Sequence, residues 1–160
     1  MKLREQENSF VYQGKRPLGK LVKRFWLCSV FSLILQIAAG CIPSTGLVRT
    51  AYVLVPYGLG LCASIFLIRK VTEFTFADAK MERSVYHRTA ETFDAALLAA
   101  GAMAVLTAAA ELIRLFITAE KSIPASIAVI LLEAAASGCM AWFKYEEADL
   151  IYKEIPAKKK

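Results

Sequence analysis

Histidine is almost missing from this chain: His87 is the only one among 160 residues. The four cysteines, Cys28, Cys41, Cys62 and Cys139, are scattered and form no CxxC pair. A structural zinc centre needs four clustered Cys or His ligands, so no metal site is expected and the cysteines read as small buried hydrophobes. No cofactor is expected either. Gly14, Gly19 and Lys20 resemble a phosphate-binding loop only loosely, because Leu21 stands where that loop needs a Ser or Thr hydroxyl and no strand precedes the glycines. Charge is missing in a more telling way. Residues 51–68 carry none, and residues 27–41 are interrupted only by Ser29, Ser32 and Gln36. Helices of a soluble bundle keep a polar face recurring every three to four residues, and these stretches have no such face.

What fills the chain instead is apolar. Hydrophobic residues make up 57% and charged residues 21%, and the charges gather in the two tails and one central segment. Four long apolar stretches run over residues 25–42, 51–68, 93–117 and 123–143. Each is near the length of about 20 residues that crosses a hydrocarbon core of about 30 Å. The reading is an all-α membrane protein with four transmembrane helices in a compact bundle. Residues 1–24 form a basic tail, 25–145 the transmembrane domain and 146–160 a charged tail. No soluble catalytic domain is expected within these 160 residues. Residues 38–41, Ala-Ala-Gly-Cys, resemble a lipoprotein processing site, but the apolar region is long and three further spans follow, so the first helix is expected to be retained.

The formal charge of +6 reads as topology, with no nucleic-acid partner expected. Seven basic residues precede residue 25 and five lie within 69–91, whereas the two other connections hold only Arg49 and Lys121. Basic residues are kept on the cytoplasmic side, so both termini and segment 69–91 are expected there, in a cell membrane of the bacterial inner-membrane kind. The basic clusters also suit anionic lipid headgroups. Trp26, Trp142 and Tyr145 mark the headgroup level. Residues 1–19 read as a mobile tail, with Pro17 and Gly19 opposing helix. Segment 69–91 lacks Gly and Pro from residue 71 onward, so it reads as a helical hairpin extending spans two and three, and as the place where a soluble partner docks.

Two spans carry ionisable residues. Ala100, Ala104, Thr107, Glu111, Arg114 and Thr118 share one stripe of the third helix, and Ser126, Ile130, Glu133 and Ser137 share one stripe of the fourth. With the intervening turn centred near Lys121, Glu111 and Glu133 fall within about 3 Å of the same depth, and Glu111, Arg114 and Glu133 are expected to converge. A lipid-facing Glu or Arg costs on the order of several kcal/mol, which favours burial of all three. Gln36 is a candidate to join them. The small residues of spans three and four, including Ala108–Ala110 and Ala134–Ala136, favour a close antiparallel pair. No nucleophile or metal set accompanies the acids, so enzymatic function is poorly supported. The preferred function is a structural or accessory protein that binds itself or another integral membrane protein. The alternative is a small oligomeric proton-coupled or cation transporter that uses Glu111 or Glu133.

Overall fold

A computed structural model describes residues 9–42, 50–75, 80–118 and 122–156. Its elements in chain order are β1 (Ser9–Tyr12), α1 (Leu18–Gly40), α2 (Ala51–Thr75), β2 (Lys80–Glu82), α3 (Arg83–Ile117), α4 (Ile123–Glu147) and β3 (Tyr152–Ile155). All four helices are long and apolar enough to cross a membrane. They form a ring in which α2 packs on α3, α3 on α4, and α4 closes back onto α1. The sequence expectation of a four-helix bundle with a close α3–α4 pair is met.

The helix ends follow local chemistry. Proline is tolerated at a helix start because its missing N–H has no partner there anyway. Pro17 therefore precedes α1, and Gly19 falls in the first turn, so α1 begins earlier than the apolar stretch at residue 25. Pro124 occupies the first turn of α4 as expected. Helix α2 continues through Pro56. Close approach has a specific cause at Gly60: a Cβ there would lie 3.2 Å from Gln36 Oε1 and 3.3 Å from Met103 Cβ.

The core is a stack of layers. Near one end, Phe25 of α1 stacks on Phe143 of α4 at 4.5 Å, with Phe93 of α3 edge-on at 6.3 Å. Leu21, Leu67, Val71, Ala96, Ala100 and Met140 fill the space around them. A smaller apolar cluster of Ala39, Val53, Ala110 and Val129 closes the other end.

Two expectations change at the first end. Residues 1–19 are expected as a mobile tail and 69–91 as a helical hairpin; residues 1–8 and 76–79 lie outside the described residues. Instead, β1 pairs antiparallel with β2 on one side and β3 on the other. Helices α2 and α3 do extend beyond their apolar stretches, but β2 separates them. The sheet has an aromatic seat: Phe10 stacks on Tyr86 at 4.3 Å, and Tyr152 lies 5.3 Å from Tyr86 and 5.5 Å from Tyr12. Below it, buried Glu146 accepts hydrogen bonds from Arg16 at 2.6 Å and Arg24 at 2.9 Å, tying the N-terminal segment to the end of α4.

The register places Val11 opposite Lys153. With the four native cysteines replaced, cysteines introduced at 11 and 153 are expected to form an intramolecular disulfide on mild oxidation. An unshifted electrophoretic mobility at full thiol labelling would show that the two strands do not pair.

Candidate functional site

The expected stripe on α3 is buried in the bundle: Ala100, Ala104, Thr107, Glu111 and Arg114 all face inward. Thr118 lies just past the helix and is exposed. On α4, Ser126 and Glu133 are buried, while Ser137 is partly exposed. Stripe and partner are separate matters, and the structure resolves both.

Glu111 and Arg114 form a two-point ion pair. Arg114 donates through Nη2 to Glu111 Oε1 at 2.9 Å and through Nε to Oε2 at 3.1 Å. Ser126 closes a ring across the helices, its hydroxyl donating to Glu111 Oε1 and accepting from Arg114 Nη2, both at 2.6 Å. Forked guanidinium–carboxylate pairing is stronger than a neutral hydrogen bond and fixes orientation. Arg114 also lies in the last turn of α3, where the helix dipole favours a cation. Through Ser126, these four bonds tie α3 to α4 at this level.

Glu133 does not join it. Ser126, the residue that meets Glu111, precedes Glu133 by seven positions, about 10 Å of helix rise. The expected convergence fails because α3 and α4 are offset, so that Ser126 rather than Glu133 reaches the level of Glu111. Glu133 is instead buried deeper in the bundle. The Phe25–Phe143 stack and the hydrogen bond from Ser32 to the Ala136 carbonyl, 3.2 Å, fix the antiparallel register of α1 and α4. Continuing it by one turn sets Glu133 level with Gln36.

Gln36 is the hub of a second polar layer. Its side-chain amide donates to Ser64 on α2 at 2.9 Å and to Ser32 at 3.4 Å, and its backbone carbonyl accepts from Tyr57 at 3.0 Å. Glu133 is 1% exposed, and its Oε1 has no hydrogen-bond partner among the described residues. It is the eleventh residue of a 25-residue helix, which puts it near the middle of a bilayer-length span. The site therefore divides into a buried ion pair near one end and a separate central carboxyl. Ser64 and Tyr57 were missed by sequence reasoning; a hydroxyl inside a chargeless apolar stretch was the available signal. Among the described residues, no group of three or more His, Cys, Asp or Glu is placed to hold a metal.

No protein-family model matches this chain, and no curated protein or solved structure matches it either.

Removing one member of a buried ion pair leaves the other charge uncompensated, which costs about 3–5 kcal/mol, whereas replacing both is often near neutral. Arg114→Leu is therefore expected to lower the unfolding temperature in detergent sharply, and Glu111→Leu combined with Arg114→Leu to recover most of the loss. Equal melting of wild type and Arg114→Leu would remove the pair from any structural role.

Proposed function

We propose that this chain is a small multi-pass accessory protein of a cell membrane, of the bacterial inner-membrane type, that works by associating with a neighbouring protein. The observation that carries the reading is the sheet. The four helices bring β1, β2 and β3, which lie before α1, between α2 and α3, and after α4, to one end of the bundle as a single sheet. The excess of basic residues at that end supports a cytoplasmic placement. β3 is an edge strand of the sheet, with exposed Ile151 just before it and exposed Ile155 at its end. An edge strand can take on an added strand through main-chain hydrogen bonds. Lys153 and Lys158–Lys160 suit an acidic segment of the partner.

A photo-crosslinking residue at position 155 is expected to capture one defined partner, or a second copy of the chain, in native membranes. Ile155→Asp should abolish that capture while preserving the melting temperature. In the same cells, a membrane-impermeant thiol reagent should label a cysteine placed at position 44 and not one at 158. A monomer in native mass spectrometry from nanodiscs, together with no crosslinked neighbour, would sink the accessory reading.

One observation favours a second reading. A wholly buried carboxyl with an unpartnered oxygen is costly as mere packing, and its position beside the Gln36 layer suits a proton- or cation-coupling group. Glu133→Gln keeps the size and removes the titratable group. If the protein carries proton-driven or cation flux in reconstituted vesicles, this variant should abolish its dependence on pH. Flux and pH response unchanged from wild type would exclude Glu133 as the coupling residue.

A further inference from the structure

Two concavities meet on the α3–α4 face near the sheet. The first is a cavity of about 390 Å³ with Tyr86, Phe93, Tyr152, Asp94, Lys144 and Glu147 in its walls. The second is a groove of about 770 Å³ along α3 and α4, floored by small residues such as Gly101, Ala102 and Ala141 and edged by Leu98 and Val105. Asp94 and Lys144 line both, and their side chains form an ion pair at the junction. A polar cavity opening into an apolar groove has the shape of an amphiphile. We propose that this surface binds one phospholipid whose headgroup ends in a primary ammonium, with the ammonium in the cavity and an acyl chain in the groove.

The depth is right for a headgroup. Helix α3 has 35 residues, about 50 Å, against a hydrocarbon thickness of about 30 Å. Its first turns therefore project beyond the apolar layer, and Asp94 lies where that layer begins. On α4, Trp142 and Tyr145 flank Lys144 and are exposed, as aromatic side chains at the membrane interface are.

The charge selects a cation. Lys144 binds both Asp94 and Glu147, so two carboxylates share one ammonium. The carboxyl end of α4, with its partial negative charge, lies at the same place. Tyr86 and Tyr152 line the cavity, and aromatic rings attract a cation placed over their faces. The Tyr152 hydroxyl is buried with no hydrogen-bond partner among the described residues. Burial, reinforced by Tyr12 and Tyr86, pushes its pKa up to about 12, so it remains a neutral phenol with lone pairs to accept an N–H. A primary ammonium has that N–H to give; a trimethylated one does not. An anionic headgroup without an amine meets the excess carboxylate instead. The Lys144 side chain, more than half exposed, can turn to the lipid phosphate as the ammonium takes its place between the acids.

The test is native mass spectrometry of delipidated protein titrated with phospholipids of identical acyl chains and ethanolamine, choline or glycerol headgroups. Wild type is expected to hold one ethanolamine lipid about tenfold more tightly than either other lipid, equivalent to about 1.4 kcal/mol. Glu147→Gln should erase most of that preference, and Gly101→Leu should weaken retention of all three lipids, with melting temperatures confirming that both variants fold. Equal retention of the three lipids by wild type would overturn the proposal, as would a preference unchanged in Glu147→Gln combined with Asp94→Asn. Glycerophosphoethanolamine, which has no acyl chains, should bind far more weakly; equal binding would assign the cavity to a soluble amine and overturn the lipid. Efficient dimer crosslinking through a cysteine at position 102 would give the groove to a second copy and likewise overturn it.

Discussion

Hydrocarbon supplies no hydrogen-bond partners, so every polar group carried into a span has to be answered from within the protein. The bundle answers in three ways. Ser29 and Thr107 turn back onto their own helices, bonding the carbonyls of Phe25 and Met103 at 2.8 Å. Gln36, Ser32, Ser64 and Tyr57 link helices α1, α2 and α4 through shared hydrogen bonds. Glu111, Arg114 and Ser126 close a charged ring between α3 and α4. These contacts fix rotation and depth as well as energy, because each needs specific atoms at specific levels. Apolar packing alone would let the helices slide. Glu133 stands outside all three solutions, which is why it, and not the ion pair, is the functionally suggestive acid.

The spans were legible because composition and length are enough to identify them, and the inward face of α3 was legible because its stripe follows the helical period. Depth was not. A stripe says which way Glu111 and Glu133 point, but their relative level depends on how α3 and α4 are offset, and Ser126, about 10 Å of helix rise from Glu133, is the residue that meets Glu111. The sheet was illegible for a different reason. Strands of three or four residues are too short for a two-residue period to stand out. Their pairing joins residues 9, 82 and 155, a relation that no local window contains. The aromatic residues Phe10, Tyr12, Tyr86 and Tyr152 were the available clue, since each is an unusual choice for a solvated tail or loop.

The sheet also changes how the basic excess is read. Arg16 and Arg24 belong to the cluster that precedes the first span, yet both engage Glu146, and Arg16 also meets Asp149 at 3.2 Å. Arg83 pairs with Glu154 at 3.7 Å. Part of the basic excess is thus engaged internally, tying residues near 16, 24 and 83 to those near 146 and 154. Such contacts are modest singly when exposed, but Glu146 is buried and shared by two arginines, a more favourable geometry.

The strand order has a consequence for assembly. The central strand comes first in the chain, one edge follows after two helices, and the other edge arrives only after all four. During synthesis β1 therefore waits, with both of its edges open, until α1 and α2 are in place; β3 cannot complete the sheet until α4 has crossed. A chain that stalls, or that inserts one helix the wrong way, delivers its strands to opposite faces of the membrane and leaves β1 uncovered. Closure of the sheet in this sense requires that every crossing is made in the right direction, and a failed crossing leaves β1 with an exposed edge.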